Sequence, residues 1–207
     1  MAETEANPTA EPSASKGEIT VKGQTVNNIQ ADRVTVQYAA TGDIQAKTVV
    51  VSQAGAGRIE AETVELRQAG AQVVQSSTVT VRQGGVVQAK TDQLSMTQGG
   101  IVLVETAKSE LTASTAGAIL ASGEVALDQS AAKVVLTRGD VTMDQSGAGL
   151  LVARNVRTGD NSGVIIMLAG RVDGDVNSVF GPAAGAAFGA AFALVVALIL
   201  WLRRRLA

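Results

Sequence analysis

The chain contains no cysteine and no histidine among its 207 residues. This absence excludes disulfide bonds, thiolate nucleophiles, Cys/His metal sites and imidazole bases together. Aromatic residues make up only 2% of the chain, and Tyr38 is the only one before residue 180. Large rings usually provide much of the buried area of a globular core. Their scarcity predicts a thin protein with a core of small and β-branched side chains.

Clustered positive charge is also scarce. The formal net charge is −2, and the one basic cluster, Arg203, Arg204 and Arg205, lies near the C-terminus. Nucleic-acid binding requires Lys and Arg grouped on one face, which the rest of the chain does not offer. We therefore expect no nucleic-acid partner, and we identify no cofactor or small-molecule site.

Residues 1–17 are rich in Glu, Pro, Ser and Ala and show no apolar periodicity. Such a composition cannot bury enough apolar surface to offset the entropy cost of ordering. This segment is predicted to be a disordered acidic tail. It lacks the basic and apolar regions of a secretory signal peptide.

An internal repeat with a fifteen-residue spacing follows, beginning at Ile29, Ile44, Ile59 and Val74. Each copy contains an alternating V-x-V segment, typical of a strand, and then Gln-Ala-Gly or Gln-Gly-Gly, typical of a turn. A unit of this length is too short for a strand, a crossover helix and a return, but it suits one winding of a β-coil. Residues 18–178 are therefore predicted to form an all-β, single-stranded β-solenoid (β-helix) in which each copy pairs with the next. The alternative is a series of ordinary hairpins.

The sequence and the length of the repeat become less regular from the fourth copy onward. That copy is interpreted as two residues short, so that VQAKTDQL resumes the pattern at Val87. Later copies are about one residue longer than the first ones, with Asp-Gln-Ser recurring at residues 128–130 and 144–146. We count about nine coils, each of fifteen or sixteen residues, ending near residue 165.

Equivalent positions of stacked coils should form columns of neighbouring side chains. In one predicted column the charged neighbours alternate in sign, as opposite charges favour on adjacent strands; it contains Asp32, Lys47, Glu62, Ser77, Lys90 and Glu105. A threonine column contains Thr48, Thr63, Thr78, Thr91 and Thr106. A glutamine column should form an amide ladder below Tyr38, with members Gln53, Gln68 and Gln83 and later Gln129 and Gln145.

Residues 183–202 contain no charged side chain and precede the three arginines. A helix of this length would span about 30 Å, the thickness of a bilayer's hydrocarbon core. We predict that residues 179–207 are a hinge and one C-terminal transmembrane α-helix, so that membrane lipid is a partner. Trp201, Arg203, Arg204 and Arg205 would form the interfacial anchor. The alternative is a buried helix of a soluble domain.

Small residues recur every fourth position in this segment, at Gly181, Gly185, Gly189 and Ala193. This spacing allows transmembrane helices to pack closely, so it predicts self-association; an Ala/Gly-rich anchor without such packing is the alternative. The solenoid is expected on the cytoplasmic side, because no apolar segment precedes it to direct export. The positive-inside rule would favour the opposite orientation.

Candidate chemistry is sparse. Elongated β-helices include enzymes that act on glycans, and paired carboxylates can serve as acid and base. The candidates here are Asp128, Asp140 and Asp144 with Lys133 and Arg138. No aromatic residue lies near them to stack on a sugar, and turn aspartates that bond local backbone are the simpler interpretation. Asp173-Gly174-Asp175 and Gly159-Asp160-Asn161 offer oxygen ligands for calcium, but neither matches a known calcium loop. We predict that the chain is not an enzyme and holds no metal.

The coil opening IQADRVTV at residues 29–36 and the closing RVDGDV at residues 171–176 resemble the bactofilins, a family of polymer-forming cytoskeletal proteins. The resemblance covers roughly residues 17–176. It implies a β-helix between flexible tails that polymerises end to end without nucleotide and associates with membrane. The family's coils are longer than these, and its usual members lack a C-terminal transmembrane segment.

These observations predict a membrane-anchored structural scaffold that self-assembles through the solenoid ends and through the transmembrane helix. The end near Gly23–Ile29 is expected to be free for assembly, because the anchor occupies the other end. The alternatives are a non-polymerising spacer or binding surface for a protein partner and, less favoured, a glycan-active enzyme.

Overall fold

The computed structural model describes residues 15–174 and 177–178. They form fourteen strands in one continuous sheet, and the described part of the chain contains no helix. The strands are β1 Ser15–Lys22, β2 Val26–Gln37, β3 Ala40–Ser52, β4 Gly55–Arg67, β5 Gly70–Arg82, β6 Gly85–Thr97, β7 Gly100–Thr112, β8 Thr115–Ala121, β9 Val125–Asp128, β10 Ala131–Thr137, β11 Asp140–Asp144, β12 Gly147–Thr158, β13 Gly163–Gly174 and β14 Asn177–Ser178.

Every pair of neighbouring strands is parallel and in register. Ile29 lies beside Ile44, Ile44 beside Ile59, and Ile59 beside Val74, so the fifteen-residue spacing of the sequence is the spacing of the turns. Hairpins would make antiparallel pairs, so the hairpin alternative is wrong. The fold is an all-β parallel solenoid of about ten turns, and it is roughly 48 Å long at 4.8 Å per turn. The sequence count of about nine is slightly low because β13 continues to Gly174.

The cross-section has three sides. Along one turn, two consecutive residues face outward at each of three corners. The first corner is at Gly57–Arg58, the second at Glu62–Thr63 and the third at Arg67–Gln68. The strand ladder skips a residue at the first two of these places and stops at the third. Each side therefore follows an in–out–in pattern before the chain turns a corner. The inward residues Ile59, Val64 and Leu66 are fully buried and stack on their equivalents in the next turn.

The core consists of one small or aliphatic side chain stacked on another, in accordance with the shortage of aromatic residues. The column that starts at Val34 continues through Val49, Val64 and Val79, and all four side chains have no exposed surface. At the first corner the turns approach so closely that a Cβ at Gly42 would collide with the carbonyl oxygen of Asn27. A side chain at residue 42 would therefore require these two turns to move apart.

The predicted shortening of the fourth copy is wrong. β5 and β6 keep the fifteen-residue spacing, with Val74 beside Ala89 and Val79 beside Leu94. Val87 is therefore an outward residue and is 54% exposed, not the first core residue of a coil. The turn residues Gln83-Gly84-Gly85 and Gln98-Gly99-Gly100 hold this register, because both triplets occupy the same corner of successive turns.

The predicted lengthening of the later copies by about one residue is confirmed. Thr106 lies beside Ala121 at a spacing of 15, whereas Ser109 lies beside Val125 at a spacing of 16. The extra residue is accommodated at the second corner, where the chain leaves strand conformation between β8 and β9.

Several sequence predictions lie outside the described residues. They are the acidic tail over residues 1–14 and the hinge and transmembrane helix of residues 179–207, with Gly181, Gly185, Gly189, Ala193, Trp201, Arg203, Arg204 and Arg205. β1 begins at Ser15, slightly before the predicted start of the solenoid at residue 18. Within the described ranges, no helix is long and apolar enough to cross a bilayer.

Candidate functional site

A ladder of glutamine side chains runs along the third corner. Gln53 Nε2 donates to Gln68 Oε1 at 2.8 Å, Gln68 donates to Gln83 at 3.1 Å, and Gln83 donates to Gln98 at 3.1 Å. Tyr38 occupies the same position one turn earlier and is 70% exposed. The structure therefore brings together Gln53, Gln68 and Gln83 as the sequence indicated and adds Gln98, which the shifted register had concealed. Gln129 and Gln145 also lie at this corner, but within the described residues no side-chain hydrogen bond joins them.

The residues of this corner all have a left-handed backbone. Their φ angles are between 46° and 56°, and they are Tyr38, Gln53, Gln68, Gln83, Gln98, Ala113, Gln129, Gln145 and Asn161. This region disfavours residues with a Cβ, and glycine or asparagine usually occupies it. The backbone N–H of each of the first eight nonetheless donates to a carbonyl of the next turn, as Gln68 does to Arg82 at 2.9 Å. The stacking of turns thus imposes the conformation.

A buried serine ladder continues the corner in the later turns, and sequence analysis did not identify it. The backbone N–H of Ser114 donates to Ser130 Oγ at 3.1 Å, and that of Ser130 donates to Ser146 Oγ at 3.1 Å. The Ser130 hydroxyl itself donates to the carbonyl of Asp128 at 2.7 Å. Ser162 extends the ladder by one turn. The recurring Asp-Gln-Ser is the sequence signal of this ladder, because its serine lies directly after the left-handed residue.

The aspartates of the same motif are exposed. Asp128 and Asp144 are neighbours in adjacent strands, while Asp140 accepts a hydrogen bond from Asn155 at 2.7 Å. In the part of the chain that the structure describes, no group of three or more acidic side chains is arranged around a metal position. Gly159-Asp160-Asn161 forms the third corner of its turn, and Asp175 of the other calcium candidate lies outside the described residues. The arrangement brings two exposed carboxylates together on adjacent strands.

The charged column at the second corner is shorter than predicted. Lys47 Nζ lies 2.9 Å from Asp32 Oδ1, and Glu62 follows Lys47 one turn later. The hydrogen bond with Asp32, and then its negative charge, raises the pKa of Lys47 above 10.5. Lys90 and Glu105 do not belong to this column, because the register places Lys90 beside Gln75 and Glu105 beside Lys90. They form their own ion pair at 3.6 Å.

The threonine column is also divided by the corrected register. Thr48, Thr63 and Thr78 are neighbours on the outside of the second corner, whereas Thr91 and Thr106 lie two positions earlier in their turns and are buried. The Thr106 hydroxyl donates to the carbonyls of Lys108 at 2.8 Å and Asp92 at 3.2 Å. The Thr106 hydroxyl therefore bonds to the backbone of the corner and not to the hydroxyl of another threonine.

An outward apolar surface covers one side of the last five described turns. Its members point away from the buried residues Ile119, Val135 and Leu151, which lie between them in sequence. We call this surface the outer apolar face; it consists of Leu103, Ala118, Leu120, Val134, Leu136, Leu150, Val152, Ile166 and Leu168. Leu120 is 38%, Leu136 37% and Leu168 62% exposed.

The same two columns are mostly polar in the earlier turns. In those turns the column of Leu136 contains Gln45, Glu60, Gln75, Lys90 and Glu105. There, Gln45 donates to Glu60 at 3.3 Å across the turns. Leu120, Leu136 and Val152 line one wall of a shallow open groove of about 770 Å³, which Lys90 and Glu105 close at its polar end. The boundary at Glu105 divides one side of the rod into a polar and an apolar half.

None of the side-chain columns predicted from the sequence includes the members of this face. The signal is present in the runs AILA, VVLT, LLVA and VIIMLA, in which consecutive residues are apolar on both sides of the sheet.

Among protein-family models, curated proteins and solved structures, none matches the chain.

Proposed function

We propose that the chain is a membrane-anchored structural scaffold that assembles through the ends of its solenoid. The observation that carries the proposal is the terminal strand β1. Within the described residues it pairs with β2 alone, so its other edge presents unpaired backbone groups that can template a further strand. The resemblance to the polymer-forming bactofilins supports assembly of the same kind.

The apolar interior is also incompletely covered at this end. Val34 and Val49 are fully buried in the two turns that follow β1, whereas Ile19, the equivalent of Val34 in β1, is only partly buried. A second copy stacked on β1 would bury Ile19 and extend the sheet. β1 pairs with β2 only from Ala31 onward and covers Val34 and Val36, so the Gly23–Ile29 segment expected from the sequence lies at the same end of the solenoid as β1. The interface of assembly is therefore proposed at β1 together with this segment.

Anchoring is proposed from the uncharged residues 183–202 and the arginines after them. They would hold the rod at a bilayer on its cytoplasmic side, and the Gly181, Gly185 and Gly189 row would add a contact between neighbouring anchors. Anchored copies are concentrated in two dimensions, which favours weak end-to-end contacts.

The experiment for assembly uses the full chain in mild detergent, imaged by negative-stain electron microscopy and measured by light scattering. We expect rods about twice as long as the roughly 48 Å of a single copy, because one interface at β1 joins two copies. The variant Ile19→Lys places a charge inside the stacked interface and should abolish long rods. Thr20→Lys is the matched control, because Thr20 is exposed and points outward. Strictly monomeric wild-type chain would refute end-to-end assembly.

Anchoring is tested by flotation with lipid vesicles. The full chain should float with them, and a chain that ends at Ser178 should stay in the dense fraction. Equal behaviour of both would refute the anchor.

A further inference from the structure

The outer apolar face lies where the described chain ends. Ser178 of β14 pairs with Val164 of β13, two residues before Ile166, which opens the last turn of the face. Only residues 179–182 separate Ser178 from the proposed anchor at 183–202. A bilayer entered by this segment therefore meets the rod at the same end that carries the face.

The border of the face is cationic. Lys133 precedes Val134 at one corner, and Arg138, Arg154 and Arg171 follow the apolar segments at the other; all four are exposed. None of the four forms an ion pair within the described ranges. The carboxylates of that corner have other partners, since Glu124 pairs with Lys108 at 3.0 Å and Asp140 accepts from Asn155.

The size of the face argues against a second copy as its occupant. Five turns at 4.8 Å by a strand segment of about four residues give an area of about 300 Å². A stable protein interface buries about 800 Å² on each partner. The face is too small for that, but an apolar patch with basic residues at its border suits the headgroup region of an anionic bilayer.

We propose that the outer apolar face is a lipid-contacting surface that lays the last five turns of the rod against an anionic bilayer. This inference rests on the proposed anchoring by residues 183–202. Leu120, Leu136 and Leu168 enter the interface between headgroups and acyl chains, while Lys133 and Arg154 face the lipid phosphates. The polar turns before Glu105 extend beyond this contact and leave β1 accessible. Copies joined at β1 would then lie along the membrane.

The absence of cysteine allows a site-specific test on the full chain. The variants Leu136→Cys and Gln75→Cys place a label at two positions of the same outward column, one in the apolar half and one in the polar half. Ile199→Cys reports on the anchor. Each variant is labelled with an environment-sensitive fluorophore and reconstituted in vesicles of phosphatidylcholine and phosphatidylglycerol, with and without a shallow nitroxide-labelled lipid. Leu168→Cys repeats the measurement at the most exposed leucine.

We expect a blue-shifted emission and a several-fold stronger quenching by the nitroxide lipid at residues 136 and 168 than at residue 75. Strong quenching at residue 199 with none at 136 and 168 would overturn the lipid contact and leave the anchor intact. A blue shift at 136 without quenching would show that protein covers the face, which also overturns it. An unquenched label at 199 would refute the anchor and with it the inference.

Discussion

The side-chain amide of Gln68 donates to Oε1 of Gln83 at 3.1 Å, although both residues have a left-handed backbone, with φ angles of 50° and 56°. Glycine would adopt this backbone without steric cost but has no amide to stack. The corner therefore combines local strain with a bond between turns. The choice of residue at this position couples each turn to the next.

The strain and the bond can be separated by substitution at Gln68. Gln68→Ala removes both amide bonds but retains the Cβ, and we expect a loss of about 1 kcal/mol in the free energy of unfolding. Gln68→Gly loses the same bonds but relieves the strain, so it should be more stable than the alanine variant by roughly 1 kcal/mol. Chemical denaturation of both variants measures the difference.

Gln75 provides the matched control, because it is an exposed glutamine inside strand β5. There the order should reverse, since glycine weakens a strand relative to alanine. The same order of stability at both positions would contradict the role assigned to the left-handed backbone.

The serine ladder predicts a buried hydrogen-bond effect. Ser130→Ala leaves the backbone N–H of Ser114 without an acceptor, and we expect a loss of about 2 kcal/mol. Ser95→Ala is the control, because Ser95 is exposed on strand β6, and its free energy of unfolding should change by less than about 0.5 kcal/mol. Equal effects of the two substitutions in urea denaturation would show that the ladder contributes nothing.

Replacing Ser109 should raise the free energy of unfolding, the opposite of the effect expected at Ser130. The Ser109 side chain is fully buried between Leu94 and Val125, and its hydroxyl has no hydrogen-bond partner among the described residues. Ser109→Ala removes an unsatisfied polar atom, so it should raise the free energy of unfolding by about 1 kcal/mol. Ser109→Val, which matches the valine of the next turn, should raise it at least as much. Destabilisation by both variants in thermal unfolding would contradict the proposed burial of this hydroxyl.

Reversing the charge of Lys47 should lower the melting temperature by an amount that depends on salt. Lys47→Glu places three carboxylates on successive turns at the second corner, beside Asp32 and Glu62, and should lower the melting temperature at low ionic strength. Added salt should reduce the difference, because the groups are exposed. Lys133→Glu is the control, since Gly117 and Gly149 occupy the adjacent turns. A salt-independent loss for Lys47→Glu would exclude charge repulsion as its cause.

The pH dependence of this pair has a defined sign. Asp32 raises the folded-state pKa of Lys47 above 10.5, so the pair's contribution to stability is complete below pH 10.5 and is lost as pH rises through the folded value. An NMR titration of the Lys47 side chain should show the raised pKa in the wild type and its return toward 10.5 in Asp32→Asn. An unchanged titration would contradict the pairing.

The fold was predictable because stacked turns repeat one environment at a fixed spacing. Ile29, Ile44 and Ile59 recur every fifteen residues in the same buried environment, so their spacing alone predicted parallel pairing. The error at Val87 arose because VQAK matches IQAK in letters but not in environment. The left-handed corner required Gln98 one full turn after Gln83, and this geometric requirement determines the register.

The functional surfaces were less predictable. The inward pattern identifies the core, but outward neighbours follow from the sequence only where the register is correct, as at Gln53, Gln68 and Gln83. Leu136 and Leu168 are two turns apart along the chain, and only the observed register places them in one column. The buried serines were equally hidden, because their hydroxyls bond to backbone atoms of other turns and leave no pairwise sequence pattern.

The left-handed corner also makes the length of the rod adjustable. Removing residues 55–69 would join Ala54 to Gly70, and each would find the same kind of neighbour that it has now. Gene duplication or deletion of one such unit changes the span by a single step of about 4.8 Å without new packing. Copy number can therefore act as a molecular ruler, and selection for a given reach need not alter the chemistry of any one turn.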